Sequence, residues 1–257
     1  MKRSAAPLAA YLLHRYDWSE SSLIVELFTR EQGRVVAAAK GAKRPYSQLR
    51  PVLLPFQRLQ VTLGKVPEGG EVQALRGAEW AGGGAPLLAG DALFRGFYCN
   101  ELLLKLLARH DPHPRLFDAY GSALPALAGA EVTAQAALRA FELALLRDIG
   151  LLPDLGVATL TQGPVQPGAR YTLRAETGVV AAGETADAAL NGQQLLDLRT
   201  ALDSDGTLPL QAACARAGSA LRTLLRGLLH YHLGTPQLRT RQVLQGAQQL
   251  RATTPHR

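Results

Sequence analysis

The densest positive charge in the chain lies in the stretch Gly33–Arg50, GRVVAAAKGAKRPYSQLR. Its cations are Arg34, Lys40, Lys43, Arg44 and Arg50, and no acidic residue occurs between Glu31 and Glu68. Gly41 and Pro45 interrupt regular structure, which predicts an exposed loop. Ammonium and guanidinium groups on such a loop could replace the counterions of a nucleic-acid backbone. A solvated turn explains the same pattern equally well, and both interpretations stay open.

A second candidate site combines one cation with an apolar helix face. The segment 133–149 has the periodicity of a helix whose apolar residues include Leu138 and Phe141, and Arg139 stands beside them. A guanidinium group next to an apolar groove could hold an acidic, hydrophobic peptide tail. A solvated surface arginine is the alternative interpretation.

A third candidate lies on the predicted helix 208–233. Arg222, Arg226 and His230 are spaced four residues apart and form a polar stripe opposite a run of leucines. The stripe predicts a weak second contact with phosphate. A solvated helix face accounts for it as well.

The sequence contains no catalytic or metal-binding motif. Cys99 and Cys214 are far apart and form no CxxC pair, so neither a zinc module nor a disulfide framework is predicted. The histidines follow no ligand spacing, and neither a GxSxG elbow nor a P-loop occurs. We therefore predict a protein that is not an enzyme and has no cofactor, with an enzyme kept as a minor alternative.

Charge is unevenly distributed along the chain. Residues 1–80 carry 12 Lys and Arg against 7 Asp and Glu, residues 81–189 carry 8 against 11, and residues 190–257 carry 8 against 3. Basic segments at both ends favour a polyanionic partner that is held from two places. The sequence has no apolar run of membrane-spanning length and no convincing secretory signal. These features predict a soluble, cytoplasmic protein without a membrane partner.

Five short β-rich runs separated by turn residues precede the first helices. They cover 9–16, 22–29, 33–39, 57–63 and 71–79. Five strands in such a short segment predict a small closed barrel. The five-stranded Greek-key barrel that binds oligonucleotides, the OB-fold, is one candidate, and other small barrels fit the pattern equally well.

The glycine-rich segment 81–86 predicts a linker between a domain at 1–80 and a second domain at 81–257. Helical periodicity then predicts helices at 87–109, 115–127, 133–149, 191–202 and 208–233. The segment 156–183 interrupts them and predicts a small β-hairpin insert. The chain is therefore expected to be α+β, with a barrel followed by a helical domain.

Several short motifs occur along the chain in one order. They are Asp17-Trp18-Ser19-Glu20-Ser21-Ser22-Leu23, Phe28-Thr29, Gly33-Arg34-Val35, Ala39-Lys40-Gly41-Ala42, Gly96-Phe97-Tyr98, Asn100-Glu101-Leu102-Leu103, Leu138-Arg139, Phe141-Glu142-Leu143-Ala144-Leu145-Leu146, and Leu233-Gly234 with Pro236, Leu238, Arg239 and Arg241. Together they resemble the bacterial recombination mediator family RecO, in the form found in proteobacteria. Because the motifs are collinear and span nearly the whole chain, the resemblance is more specific than any one of them.

The resemblance implies an N-terminal OB-fold barrel, a C-terminal helical domain and a non-enzymatic role in DNA repair. Proteins of this kind bind single-stranded and double-stranded DNA and anneal complementary strands. They associate with RecR and bind the acidic tail of single-stranded DNA-binding protein. With RecR they help RecA displace that protein from gapped DNA, which implies association with the nucleoid during repair. An RNA-binding barrel with a helical interaction domain is the alternative function.

By similarity, the basic stretch becomes the DNA-binding loop, with the second basic helix and the closing motif as further contacts. The DNA-binding set is Arg34, Lys40, Lys43, Arg44, Arg50, Arg222, Arg226, Arg239 and Arg241, and the tail-binding set is Leu138, Arg139 and Phe141. Some members of the family carry a four-cysteine zinc module near the hairpin. This sequence lacks every ligand of that module, so we predict no metal. Thr240 and Val243 also depart from the closing motif, which leaves the role of that helix open.

Overall fold

The computed structural model of the chain describes residues 6–66, 68–82, 87–234, 238–240 and 242–243. Two predicted features, residues 83–86 of the linker and Arg241, lie outside these ranges. The chain divides into two compact units, Met1–Leu124 and Pro125–Arg257, and each is described by itself. The domain boundary near residue 80 stays a prediction.

The first unit contains a closed five-stranded barrel. Its elements are β1 (Leu8–Asp17), β2 (Leu23–Thr29), β3 (Gly33–Ala39), α1 (Leu49–Val52), β4 (Arg58–Leu63), β5 (Val72–Trp80) and α2 (Gly90–Leu106), and helix α3 (Pro114–Leu127) begins in this unit. The strand order is β1-β2-β3-β5-β4, with β4 paired back to β1. Only the β3–β5 pair is parallel among the barrel strands. Every strand end lies within one residue of the predicted one.

Small and branched apolar side chains fill the barrel, as the alternation of the strands predicts. Strand β2 is buried on both faces because helix α3 covers its outer side. Phe28 contacts Phe117 with ring centroids 5.4 Å apart, and Tyr11 of β1 contacts the same ring at 5.0 Å. Aromatic contacts of this kind add to the free energy gained by burying the rings. Helix α3 is thereby fixed against the barrel.

A β-bulge changes the direction of strand β1. The pairing register with β2 shifts between Leu12 and His14, and the strand passes from fully buried residues to four exposed ones at that point. The buried side chain of Asn100 in α2 donates a hydrogen bond of 2.9 Å to the carbonyl of Leu13. The Tyr120 hydroxyl donates to Asn100 at 2.6 Å, and burial raises the pKa of Tyr120 well above its usual range. This chain of hydrogen bonds holds the bulge in place.

A charged cluster joins the other side of the barrel to the segment after α2. Buried Glu26 receives Arg109 at 2.9 Å and Arg34 at 3.5 Å. The hydrogen bond to Glu26 is the largest cause of the raised pKa of Arg109. Gly33, at a φ of 67°, lies so close to the backbone of Asp111 that a Cβ there would be 1.9 Å from its carbonyl oxygen. Only glycine, which has no Cβ, allows the two backbone segments to lie this close together.

The second unit is built mainly from helices. Its elements are α4 (Glu131–Asp148), β6 (Val157–Ala158), β7 (Gly163–Pro164), β8 (Arg170–Arg174), β9 (Gly178–Ala181), β10 (Leu190–Asn191), α5 (Gly192–Asp203) and α6 (Leu208–Leu233). Helix α4 packs against α6, and α5 packs against the same helix. Asn191 caps α5 through a capping box with Gln194. The predicted fold class, an N-terminal five-stranded barrel followed by a helical region with a small β insert, is confirmed.

The insert is larger than the predicted hairpin. Strands β8 and β9 form that hairpin, β10 adds a third strand at its edge, and β6 pairs with β7 in a separate ribbon. Helix α6 also contains a kink at Gly218, where φ is 61°. The leucines of its predicted apolar face, Leu221, Leu224, Leu225 and Leu228, are all buried.

Candidate nucleic-acid interface

The predicted DNA-binding loop lies at the end of the barrel where β1 ends, β2 begins and β3 ends. Strand β3 leads into turns at residues 40–46, and helix α1 follows. The side chains of Lys40, Arg44 and Arg50 are exposed, and no ion pair in the described part of the chain includes them. Three uncompensated cations on a rigid barrel end form a surface that attracts phosphate.

Lys43 differs from these three cations because its charge has partners. Its ammonium group donates to the carbonyl of Ser19 at 2.9 Å and lies 3.3 Å from the carboxylate of Asp17. Its backbone N–H also donates to the carbonyl of Ser21 at 3.0 Å. Lys43 therefore ties the loop to the turn that follows β1, and its net charge at the surface is partly cancelled.

A groove of about 770 Å³ opens beside the loop. Its lining consists of Arg15, Tyr16, Asp17, Leu23, Ala42, Lys43, Arg50 and Leu53. Three of these residues are cations, and the apolar ones belong to the edge of the barrel core. The guanidinium of Arg15 reaches the carbonyl of Leu53 at 3.5 Å, which orients it along the groove. We define these eight residues as the barrel-end groove.

Exposed aromatic side chains surround the same end of the barrel. The exposed fractions are 47% for Tyr16, 56% for Trp18 and 94% for Tyr46. Exposed rings are the platforms on which unpaired bases stack. Phe28 and Phe56, at 0% and 3%, are buried in the core and offer no such platform.

Arg34 is placed differently from the rest of the predicted DNA-binding set. It belongs to β3, its side chain is 15% exposed, and it is paired with buried Glu26. In this position the guanidinium neutralises a carboxylate of the barrel. A role of Arg34 in DNA binding stays a prediction.

The predicted tail-binding residues lie together on helix α4. Leu138 and Phe141 are buried, and the side chain of Arg139 is 11% exposed. The guanidinium of Arg139 is 3.0 Å from the carboxylate of Glu142, which is fully buried. Its Nε is buried and has no hydrogen-bond partner among the residues that the structure describes. Arg139 is therefore part of a buried ion pair, and its predicted contact with an acidic tail is untested.

The remaining predicted contacts lie at the end of the chain. Arg222 is exposed on α6, Arg226 is half-buried, and Arg239 is exposed in the short helical segment after Leu238. Arg241 lies outside the described residues. Within the second unit these positions add positive charge, and their role in DNA binding stays a prediction.

Comparison with protein families decides the identity of the chain. The family model described as "Recombination protein O N terminal" matches residues 6–83, and "Recombination protein O C terminal" matches residues 88–242. The chain belongs to the RecO family. The membership agrees with the resemblance of its sequence motifs and supports a role in DNA repair.

Close relatives cover nearly the whole RecO chain. The DNA repair protein RecO of Polaromonas sp. strain JS666 is 51% identical over 243 residues, which is 94% of this chain and 96% of the relative. That of Variovorax paradoxus strain S110 is 52% identical over 251 residues, which is again 94% of this chain and 96% of the relative. That of Acidovorax ebreus strain TPSY is 50% identical over 260 residues, or 96% and 99% of the two chains.

Among the described residues, no group of three or more histidine, cysteine, aspartate and glutamate side chains is arranged to hold a metal ion. Nor does any helix in those ranges have the length and apolar character needed to cross a membrane.

Sequence reasoning missed two residues of the RecO barrel-end groove. Arg15 and Tyr16 lie in a strand whose apolar start predicts burial, and the bulge after Leu12 turns them outward. The signal that could have revealed them is the change from apolar residues to HRYD at the end of the strand. A run of four polar or aromatic residues at the end of a barrel strand is typical of an exposed tip.

Proposed function

We propose that this RecO protein binds single-stranded and double-stranded DNA through the barrel end and mediates recombinational repair without a chemical step. In this proposal it anneals complementary strands and binds the acidic tail of single-stranded DNA-binding protein. It also associates with RecR and promotes loading of RecA at gaps. The observation that carries the DNA-binding part is the group of three exposed cations, Lys40, Arg44 and Arg50, beside exposed aromatic rings.

Charge explains why such a surface would promote annealing. Two DNA strands repel each other through their phosphates, and each contact with Lys or Arg releases condensed counterions. A barrel end that neutralises phosphates on one strand lowers its repulsion toward the complementary strand. The aromatic rings hold bases without reading their sequence, which suits a protein that acts on any gap.

The tail-binding part of the proposal is supported by the setting of Arg139. Buried Leu138 and Phe141 lie on the same helix as this guanidinium, and 11% of the Arg139 side chain remains exposed. An acidic tail with apolar side chains could contact the arginine and the adjoining surface together. Capturing the tail would keep the coated strand beside the annealing surface.

A charge-reversal pair tests the DNA-binding proposal. In the Lys40→Glu/Arg44→Glu variant we expect the affinity for single-stranded DNA to fall by about tenfold or more. The slope of log K against log salt should become shallower by about 1.4, because about 0.7 is lost per phosphate contact on single strands. Fluorescence anisotropy of a labelled oligonucleotide across a salt series measures both quantities.

The control for this experiment is Arg170→Glu/Arg174→Glu. These two arginines are exposed on strand β8, and no ion pair of the described residues includes them. The change in net charge is the same, so a general electrostatic effect would weaken both variants equally. Unchanged binding by the loop variant would contradict the proposal.

A further inference from the structure

We propose that the barrel-end groove is a pocket for one unpaired nucleotide of single-stranded DNA. This inference rests on the proposed DNA-binding function and adds a structural preference for unpaired strand. The groove measures about 770 Å³. Pockets that enclose small organic ligands measure about 300–1,000 Å³, so a base with its sugar and phosphate fits a space of this size.

The lining of the groove divides into the two kinds of surface that a nucleotide needs. On its inner side the groove meets the edge of the barrel core at Leu23, Ala42 and Leu53, which are almost fully buried, so the face of a base would lie against the exposed ring of Tyr16. Arg15 and Arg50 supply guanidinium groups for the phosphate. A nucleotide has both an apolar base face and a charged phosphate, whereas a simple anion has only the charge. A groove that pairs an apolar surface with guanidinium groups therefore fits a nucleotide better than a simple anion.

Internal contacts leave the two arginines available while fixing the rest of the groove. Lys43 is held by Asp17 and Ser19, so its ammonium stabilises the wall of the groove. The guanidinium of Arg15 donates to the Leu53 carbonyl at the long distance of 3.5 Å and has no ion pair among the described residues, and Arg50 is exposed. Asp17 also lines the groove, and its carboxylate, which is paired with Lys43, could accept a hydrogen bond from the amino group of a base.

Tyr16 supplies a wall on which the base can stack. Nearly half of its side chain is exposed, and its ring lies 4.4 Å from that of His14 in an edge-to-face contact. The contact holds the ring in one orientation in the absence of DNA. A stacking surface that is already ordered loses little conformational entropy on binding.

The pocket distinguishes unpaired from paired DNA for a geometric reason. In a duplex the bases are stacked and paired inside the helix, so a base must be flipped out before it can enter the groove. The phosphates remain accessible in both forms, and the exposed loop cations contact them in either case. The groove therefore contributes affinity for single strands, while Lys40 and Arg44 contribute to both.

Substitution of Tyr16 tests this division. For Tyr16→Ala we expect affinity for a single-stranded oligonucleotide to fall about fivefold or more, which corresponds to the loss of one base–aromatic stacking contact. Affinity for a hairpin duplex should stay within about twofold, and the salt slope should not change, because no phosphate contact is lost. The side chain is exposed, so the variant retains its core, and thermal unfolding checks this.

Arg15→Ala provides the second measurement. It should weaken binding to single strands and make the salt slope shallower by about 0.7. Tyr231→Ala and Arg170→Ala, which remove an exposed tyrosine and an exposed arginine from the second unit, are the matched controls. Both controls should bind single strands and duplex as the unchanged protein does.

The outcomes separate the pocket from the proposed function. A selective loss of single-strand binding in the Tyr16 and Arg15 variants supports the pocket. If these variants lose both forms of DNA in parallel, or neither, while Lys40→Glu/Arg44→Glu is impaired, the pocket is overturned and DNA binding by the loop stands. If the loop variant also binds DNA normally, the proposed function fails and the pocket fails with it.

Discussion

Arg139 and Glu142 form an ion pair inside the second unit, and this arrangement decides how the tail-binding hypothesis can be tested. Glu142 is fully buried, and its carboxylate lies 3.0 Å from the guanidinium. Removing one member of such a pair leaves a buried charge without compensation. Replacing both members with neutral residues of similar size is often harmless.

We predict that Arg139→Glu destabilises the protein by about 3–5 kcal/mol, because it places two carboxylates together in the interior. The neutral pair Arg139→Met/Glu142→Gln should unfold within about 2 kcal/mol of the unchanged protein. Urea unfolding measures both. The neutral pair also lacks the guanidinium, so its affinity for a synthetic acidic tail peptide should fall while DNA binding persists. Normal peptide binding by that pair would remove Arg139 from the site.

Cys214 supports a prediction about alkaline pH. Burial, followed by the charge of Glu142, raises the pKa of this thiol from 9.0 to about 12. The native thiol stays protonated where the unfolded one ionises, so its contribution to stability is complete below pH 9 and is lost as pH rises toward 12. The free energy of unfolding should fall there by up to about 1.4 kcal/mol per pH unit.

Urea unfolding at about pH 8 and about pH 10 checks this expectation. Cys214→Ala removes the titrating group, so its unfolding free energy should depend less on pH across that window. Other buried groups, including Tyr120, lose protons in the unfolded chain at higher pH and affect both proteins alike. Equal pH dependence in the two proteins would contradict the prediction.

At the level of single residues, the sequence identifies the cations but not the acidic side chains with which they pair. The stretch Gly33–Arg50 predicts one basic surface, yet the structure separates its members. Arg34 is paired with Glu26 on the neighbouring strand, and Lys43 with Asp17. Those acids lie outside the stretch and meet it only in the folded chain, Glu26 on the strand paired with β3 and Asp17 at the end of β1 beside the turn that carries Lys43. Charge density along the chain therefore overstates the charge available to a ligand.

At the scale of elements, the bulge in β1 links the helices to the groove. Its exposed tip supplies Arg15, Tyr16 and Asp17 to the groove, and Asn100 of α2 holds the bulge through the Leu13 carbonyl. A residue of α2 that does not line the groove therefore helps to position it. The strand pattern predicted β1 well, but a register shift depends on a partner that arrives later in the chain.

We predict that Asn100→Ala lowers the free energy of unfolding by about 1–3 kcal/mol, because buried hydrogen-bonding groups lose their partner. It should also weaken binding to single-stranded DNA, since the tip of β1 is no longer fixed. Tyr120→Phe is the control, because it removes the hydroxyl that donates to Asn100 and keeps the bond to Leu13. The control should lose stability and retain DNA affinity. A folded Asn100→Ala protein with normal DNA binding would show that the bulge does not position the groove.

Short elements mark the limit of prediction at this scale. Strand and helix periodicity located the barrel strands and all long helices, because each repeats its pattern over several residues. Helix α1 and strands β6, β7 and β10 are two to four residues long and carry no such repeat. Their conformation depends on packing within each unit, as in the contact of α1 with β5.

For the whole molecule, the distribution of charge matters more than the net value. The first 80 residues and the last 68 are basic, while the segment between them has an excess of acids. Annealing brings two polyanions together, so two basic regions suit it better than one. If the barrel end holds one strand, we expect exposed Arg222 and half-buried Arg226 of α6 to act on the other.

We therefore predict that Arg222→Glu/Arg226→Glu slows annealing of complementary oligonucleotides more than it weakens binding to one strand. In the proposed function, binding relies on the barrel end, which is unchanged in this variant, whereas annealing needs the second strand to overcome its repulsion from the first. Stopped-flow fluorescence measures annealing, and anisotropy measures binding to a single oligonucleotide. The charge-matched Arg170→Glu/Arg174→Glu variant should anneal at the unchanged rate. Equal losses in annealing and binding would indicate that the α6 arginines contact the same strand as the loop. Unchanged annealing would indicate that the barrel end alone promotes annealing.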